Sequence, residues 1–206
     1  MFSPSAFAVN DASSLHGFIR DYGFATLISQ VNGKAFASHL PLTLVDEGTL
    51  VGHIARANPH WQAWQNDSQV LVIFQGPHAY ISHRYYPSGP QVPTWNYTAV
   101  HVQGCIQITD SPSLALASLI AQYEGEPYAS PDIMPAEFIQ RLQAAIIGFE
   151  IQIESLEGQF KLSQNKPTQV QDSVIQALAS GSLSDQELAR FMQKYSCSSL
   201  LDKAKA

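Results

Sequence analysis

Charge is scarce in this sequence. Asp, Glu, Lys and Arg together make up 14% of its 206 residues, against roughly 25% in an ordinary globular domain. The little there is leans acidic, with 11 Lys and Arg against 17 Asp and Glu for a formal net charge of −6. That balance argues against broad, non-specific nucleic-acid binding, which depends on many cations neutralising phosphates. There are two cysteines, Cys105 and Cys197, and they form neither a metal-ligand spacing nor a disulfide framework. No apolar run reaches the roughly 20 residues of a membrane-spanning helix. The opening Met1-Phe2-Ser3-Pro4 lacks a basic segment followed by an apolar stretch, so no signal peptide is expected. These absences point to a cytoplasmic protein with no membrane partner.

Apolar residues are at an ordinary 45%, enough for one large domain or a domain with an appendage. A weakly charged surface alongside that content favours a homo-oligomer, which would cover part of it. The unusual residues are concentrated. Between Ser38 and His101 lie six of the seven histidines and all three tryptophans. Polar, rigid and aromatic residues at strand ends cost stability unless a ligand or a partner subunit meets them.

Periodicity gives the elements. Leu15, Phe18, Ile19 and Tyr22 share a helical face behind Asp11 as N-cap, and Gly23 stops the helix. Strands follow over Phe24–Ser29, Lys34–Leu44 and Thr49–Ala55, joined by turns at Asn32-Gly33 and Asp46-Glu47-Gly48. Trp61 and Trp64 sit on a short helical segment. Val70–Phe74 reads as a buried strand, and His78–Ser82 continues as another. After a proline loop over Pro87–Pro93, Trp95–Thr109 reads as a long strand bent at Gly104.

Asp110-Ser111-Pro112 begins a helix carrying Leu116, Leu119, Ile120 and Tyr123, and Pro135–Ile146 forms a second. From Ile147 to Glu154 the residues alternate strictly, as in a half-buried strand ending near Glu157. The chain is helical from Gln169 onward, with Ser184 and Glu187 at capping-box spacing. The fold class is therefore mainly β with peripheral helices, an antiparallel α+β arrangement. The absence of repeated βαβ units argues against a doubly wound parallel sheet.

Several groups of residues carry chemistry. The central histidines are 14, 7, 18, 5 and 18 residues apart; none of these is a metal-ligand spacing, and no metal site is expected. Arg56 ends a strand just before Ala57-Asn58-Pro59, where guanidinium, Asn58 and free amides suit a phosphate. The alternative is an arginine that caps a loop or pairs with a carboxylate. Trp95-Asn96-Tyr97 suits either one wall of a planar-ligand slot or ordinary packing. Phe160–Lys166, with two lysines, either reaches an anionic ligand or forms a solvated turn. No nucleophile elbow, Walker loop or dinucleotide fingerprint is present, and no residue stands out as a general acid, base or nucleophile.

Taken together, Phe24-Ala25-Thr26-Leu27-Ile28-Ser29, Ala37-Ser38-His39-Leu40-Pro41-Leu42, Gly52-His53-Ile54-Ala55-Arg56-Ala57-Asn58-Pro59, Phe74-Gln75-Gly76-Pro77-His78-Ala79-Tyr80-Ile81-Ser82, Val92-Pro93-Thr94-Trp95-Asn96-Tyr97 and Lys161-Leu162-Ser163-Gln164-Asn165 resemble the PaiB family, also described as FMN-binding negative transcriptional regulators. The resemblance runs from Met1 to about Leu178. It implies a flavin-type split β-barrel over 1–168 with a C-terminal helical appendage over 169–206. It also implies a homodimer that holds FMN. By position, Ser38, His39, Leu40 and Pro41 would line the flavin ring. His53, Arg56 and Asn58 would approach the phosphate and ribityl chain, with Trp95 and Asn96 as further contacts.

A related branch of split barrels binds haem, for which His39 or His53 would be the axial ligand. A flavin-dependent oxidoreductase is the other alternative to a regulator. DNA is a partner that the family's name suggests and the charge does not support. The single helix-turn-helix outline, Val174–Tyr195, sets Asp185 and Glu187 against Arg190 and Lys194 in its second helix.

Overall fold

The computed structural model describes residues 1–65, 67–87, 89–109, 112–125 and 135–203, with side chains followed as far as Tyr195. Helix α1 (Ala12–Asp21) starts where expected: the Asp11 carboxylate accepts from the Ser14 amide at 2.7 Å. Strands β2 (Phe24–Val31), β3 (Lys34–Leu44) and β4 (Thr49–Ala55) follow as an antiparallel meander. Asn32 and Gly33 take φ of 54° and 72°, the double left-handed geometry that a two-residue hairpin needs.

The other elements are β1 (Ala8–Val9), α2 (His60–Ala63), β5 (Gln69–Ile81), β6 (Thr94–Thr109), α3 (Ser113–Tyr123), α4 (Ala136–Ala144), β7 (Ile146–Lys161), α5 (Thr168–Ala179) and α6 (Leu183–Lys203). Seven strands make one antiparallel sheet in the order β1-β7-β4-β3-β2-β5-β6, with an additional β7–β6 pairing. Among the described residues, no helix is long and apolar enough to cross a membrane.

Several boundaries differ from the sequence expectation. The two strands expected at Val70–Phe74 and His78–Ser82 are one, because Gly76-Pro77 is accommodated inside β5. Pro135–Ile146 is helical only as far as Ala144, and Ile146 already belongs to β7. That strand passes Glu157 and ends at Lys161. Asp110 and Ser111, the expected start of α3, lie outside the described residues.

The capping box sits two residues earlier than the spacing suggested. The amide and hydroxyl of Ser182 both donate to the Asp185 carboxylate, and the Asp185 amide donates back to Ser182 Oγ. The expected bend at Gly104 is a close approach instead. A Cβ there would lie 2.2 Å from the Gln152 carbonyl oxygen, so only glycine lets the two backbones come together.

The chain divides into two compact units. One comprises Asp11–Phe74 and Val100–Glu157. Its core is built from alternate strand positions: Leu27, Leu50, Val72, Phe74 and Ile151 are fully buried. The other comprises Met1–Asn10, Gln75–Ala99 and Gly158–Ala206. There Val174, Leu178, Leu188 and Met192 of α5 and α6 are buried, and Phe160 meets Phe191 and Tyr195 edge-on at 5.4 and 5.6 Å. Phe160, Leu162 and Ser163 are buried too, so Phe160–Lys166 is no solvated turn.

Candidate functional site

Alternation along β3 splits the expected ligand wall into two faces. Ser38 and Leu40 point inward and are buried, whereas His39 is exposed and Pro41 half-buried. The inward Ser38 belongs to a buried polar cluster in the unit of β2–β4. His60, with no exposed surface, holds Ser29 Oγ at 2.8 Å through Nε2 and Ser38 Oγ at 2.9 Å through Nδ1. Asn58 Nδ2 donates to Ser38 Oγ at 3.2 Å, and the His60 amide donates to Asn58 Oδ1 at 3.0 Å.

Phe36 and Trp64 flank the imidazole at 4.7 and 5.2 Å. Burial pushes the His60 pKa below its ordinary value, which favours the neutral ring. One serine hydroxyl then donates to the bare nitrogen, and the other accepts from the N–H. The cluster joins two expected site residues, Ser38 and Asn58, to two unforeseen ones, His60 and Ser29. It is closed to solvent at its centre, and its hydrogen bonds tie β2 and β3 to the β4–α2 turn and the first residue of α2.

Arg56 is exposed and opens that turn, directly after β4. Its Nε donates to the Ala144 carbonyl at 2.8 Å and its Nη2 to the Ile146 carbonyl at 3.0 Å, while its amide donates to Ala145 O at 2.8 Å. One edge of the guanidinium therefore closes the C-terminus of α4, whose last carbonyls need donors. Among the described residues no carboxylate pairs with it, and its Nη1 makes no hydrogen bond. Trp61 Nε1 donates to the Arg56 carbonyl at 3.0 Å, which steadies the backbone at this point.

His53, on β4, is half-buried opposite Gly148, and desolvation holds its pKa below the ordinary value. His39 meets Thr26 Oγ1 at 3.0 Å through Nδ1. Among the described residues, no group of three or more His, Cys, Asp or Glu could hold a metal ion.

The other unit contains Trp95 and Asn96, neighbours that face opposite ways. Asn96 is fully buried; its Nδ2 donates to Ser163 Oγ at 3.0 Å and lies 3.9 Å from Met192 Sδ. Trp95 is 54% exposed, beside His78 and Tyr80 with ring centroids 6.3 and 6.1 Å away. Asn96 is thus occupied by internal bonding, and only the Trp95 indole is open to a ligand.

The family model described as "Putative FMN-binding domain" matches residues 1–155. The chain is 37% identical over 174 residues to the Bacillus subtilis (strain 168) protein named protease synthase and sporulation protein PAI 2, covering 81% of this chain and 83% of that one. In fold it is similar to the FAD and heme binding protein from Mycobacterium smegmatis, with a TM-score of 0.59 at 14% identity over 75% of this chain and 73% of that chain. It is also similar to the flavocytochrome Anf3 from Azotobacter vinelandii, with a TM-score of 0.55 at 11% identity, covering 75% and 69%. The seven-stranded antiparallel sheet is thus the flavin-type split β-barrel, and by the family match and the PAI 2 relative the chain belongs to the PaiB family of FMN-binding-domain proteins.

Proposed function

We propose that the chain is a cytoplasmic, homodimeric FMN-binding protein of PaiB type that acts in negative regulation of transcription, with Arg56 receiving the flavin phosphate. The observation that carries the assignment is the state of the Arg56 guanidinium, clamped along one edge by the Ala144 and Ile146 carbonyls and free of any carboxylate partner among the described residues. A cation held in place before the ligand arrives suits an anionic oxygen at its open edge, since less side-chain entropy is lost on binding.

Asn58 and His53 stand nearest to Arg56 in the chain and would serve the ribityl end. His39 and Pro41, on the outward face of β3, would meet the ring. Ser38 and Leu40 support that strand from within. FMN, when bound, supplies an electron-accepting ring; the protein's part is to bind and orient it.

The regulatory half rests on the resemblance to the PaiB regulators and on the relative named protease synthase and sporulation protein PAI 2. Direct DNA reading by α5 and α6 has little support, because Asp185 and Glu187 offset Arg190 and Lys194. Regulation would then pass through the bound ligand or a protein partner.

Comparing FMN with riboflavin tests the phosphate assignment. Arg56→Ala removes a charge-assisted contact of about 1.5–3 kcal/mol, or roughly ten- to a hundredfold in FMN affinity, and leaves riboflavin binding unchanged. Equal FMN affinity in the variant overturns the assignment of Arg56.

A further inference from the structure

The unit built from Met1–Asn10, Gln75–Ala99 and Gly158–Ala206 has the opposite charge balance from the whole chain. It carries seven of the 11 Lys and Arg but only four of the 17 Asp and Glu. One face of its strands brings together residues of which the flavin reading uses only Trp95. On β5, His78 and Tyr80 point the same way; on β6, so do Trp95 and Tyr97; on β7, so do Gln159 and Lys161.

Ring contacts and hydrogen bonds join these pairs into one surface. Trp95 lies beside both His78 and Tyr80, and Tyr97 Oη donates to Gln159 Oε1 at 2.8 Å. Lys161 Nζ donates to Thr94 Oγ1 and, at 2.9 Å, to the Trp95 carbonyl. Tyr80 is 46% exposed and Trp95 54%, so two large rings stand in solvent where a sheet would ordinarily carry small polar residues.

We infer that this face is a second binding site, for a planar aromatic carboxylate whose ring lies against Trp95 and Tyr80 and whose anion meets Lys161. Three features select that class. The indole, phenol and imidazole present flat surfaces and edges that stack with an aromatic ring. Lys161 has no carboxylate partner among the described residues. Two of its three N–H donors are taken by neutral oxygens, which leaves one for a ligand. A single ammonium donor suits one carboxylate oxygen; a phosphate, with three oxygens to satisfy, would call for more donors than this face offers. Burial lowers the Lys161 pKa from its ordinary value, as expected of a cation partly removed from water without a counter-ion.

The test is titration of the full-length protein, free of flavin, with 4-hydroxybenzoate and with its neutral amide, followed by calorimetry and by ligand-observed NMR. The acid binds at least tenfold more tightly than the amide. Lys161→Met makes the two ligands equal. Tyr80→Ala, which leaves the Lys161 hydrogen bonds in place, weakens both alike. Equal binding of acid and amide by the unaltered protein overturns the inference, as does a preference that survives Lys161→Met. Competitive displacement of the acid by FMN also overturns it, because the face would then belong to the flavin site. It falls too if neither compound binds and Trp95→Ala converts a dimer to monomer in sedimentation, since a second copy would then cover the face.

Discussion

Ser38 and His60, 22 residues apart in sequence, meet at 2.9 Å inside a shell that leaves the imidazole no exposed surface. The bond ties β3 to the first turn of α2, and Asn58 joins it at Ser38 Oγ. This contact sets the position of the strand whose outer face carries His39, and of the turn that carries Arg56.

Removing that hydroxyl therefore affects more than one residue. Ser38→Ala leaves a ring nitrogen of His60 and the Asn58 amide short of a buried partner, at a cost of about 1–3 kcal/mol. Urea denaturation gives the change as a lower midpoint at unchanged slope. A stability equal to that of the unaltered protein would show that the cluster is not coupled to the fold.

Acid weakens the same cluster. His60 is held below its ordinary pKa by burial, so between the folded and the unfolded values the unfolded chain binds the extra proton. The stabilisation is complete above the unfolded value of about 6.5, declines as pH falls below it, and is gone once pH has passed through the lower folded value. His53 and His101 shift in the same direction for the same leading cause, so the His60 share is read by difference. His60→Gln lowers stability at pH 7.5 and flattens the decline between pH 7.5 and 5.5. A decline of undiminished slope in the variant would remove His60 from the pH response.

The C-terminal helices are anchored into their unit by buried side chains. Met192 is 1% exposed and Leu188 fully buried, and the Met192 sulfur lies beside the buried Asn96. Met192→Ala leaves a cavity and costs about 2–5 kcal/mol, again read from the urea midpoint. A loss below about 0.5 kcal/mol, the scale of surface substitutions, would mean that α6 contributes little to the fold.

Local signals were enough for the meander. The apolar periodicity of α1, the Asn32-Gly33 hairpin and the bounds of β3 and β4 all stand as the sequence implied, because each is set by neighbours within a few residues. The long strands were less legible. Gly76-Pro77 resembles a break, yet β5 runs through it. The end of β7 depends on β1, which pairs Ala8 with Gln159 from the far end of the chain.

The site was legible only in part for the same reason. Ser38, Arg56 and Asn58 stood out through local phrases. His60, although next to Asn58-Pro59, gains its meaning from Ser29 and Ser38, which lie 31 and 22 residues away in sequence. The carbonyls that hold Arg56, one at the end of α4 and one at the start of β7, are 88 and 90 residues downstream, beyond the reach of any spacing argument.

Flavin binding is the premise on which the role of Arg56 stands, and the visible absorption spectrum of the protein after gel filtration is its sharpest test. Protein mixed with FMN carries the flavin bands through the column at one flavin per chain, and Arg56→Ala loses them first. A colourless protein after FMN, or one that instead retains haem with a Soret band, would refute FMN as the ligand.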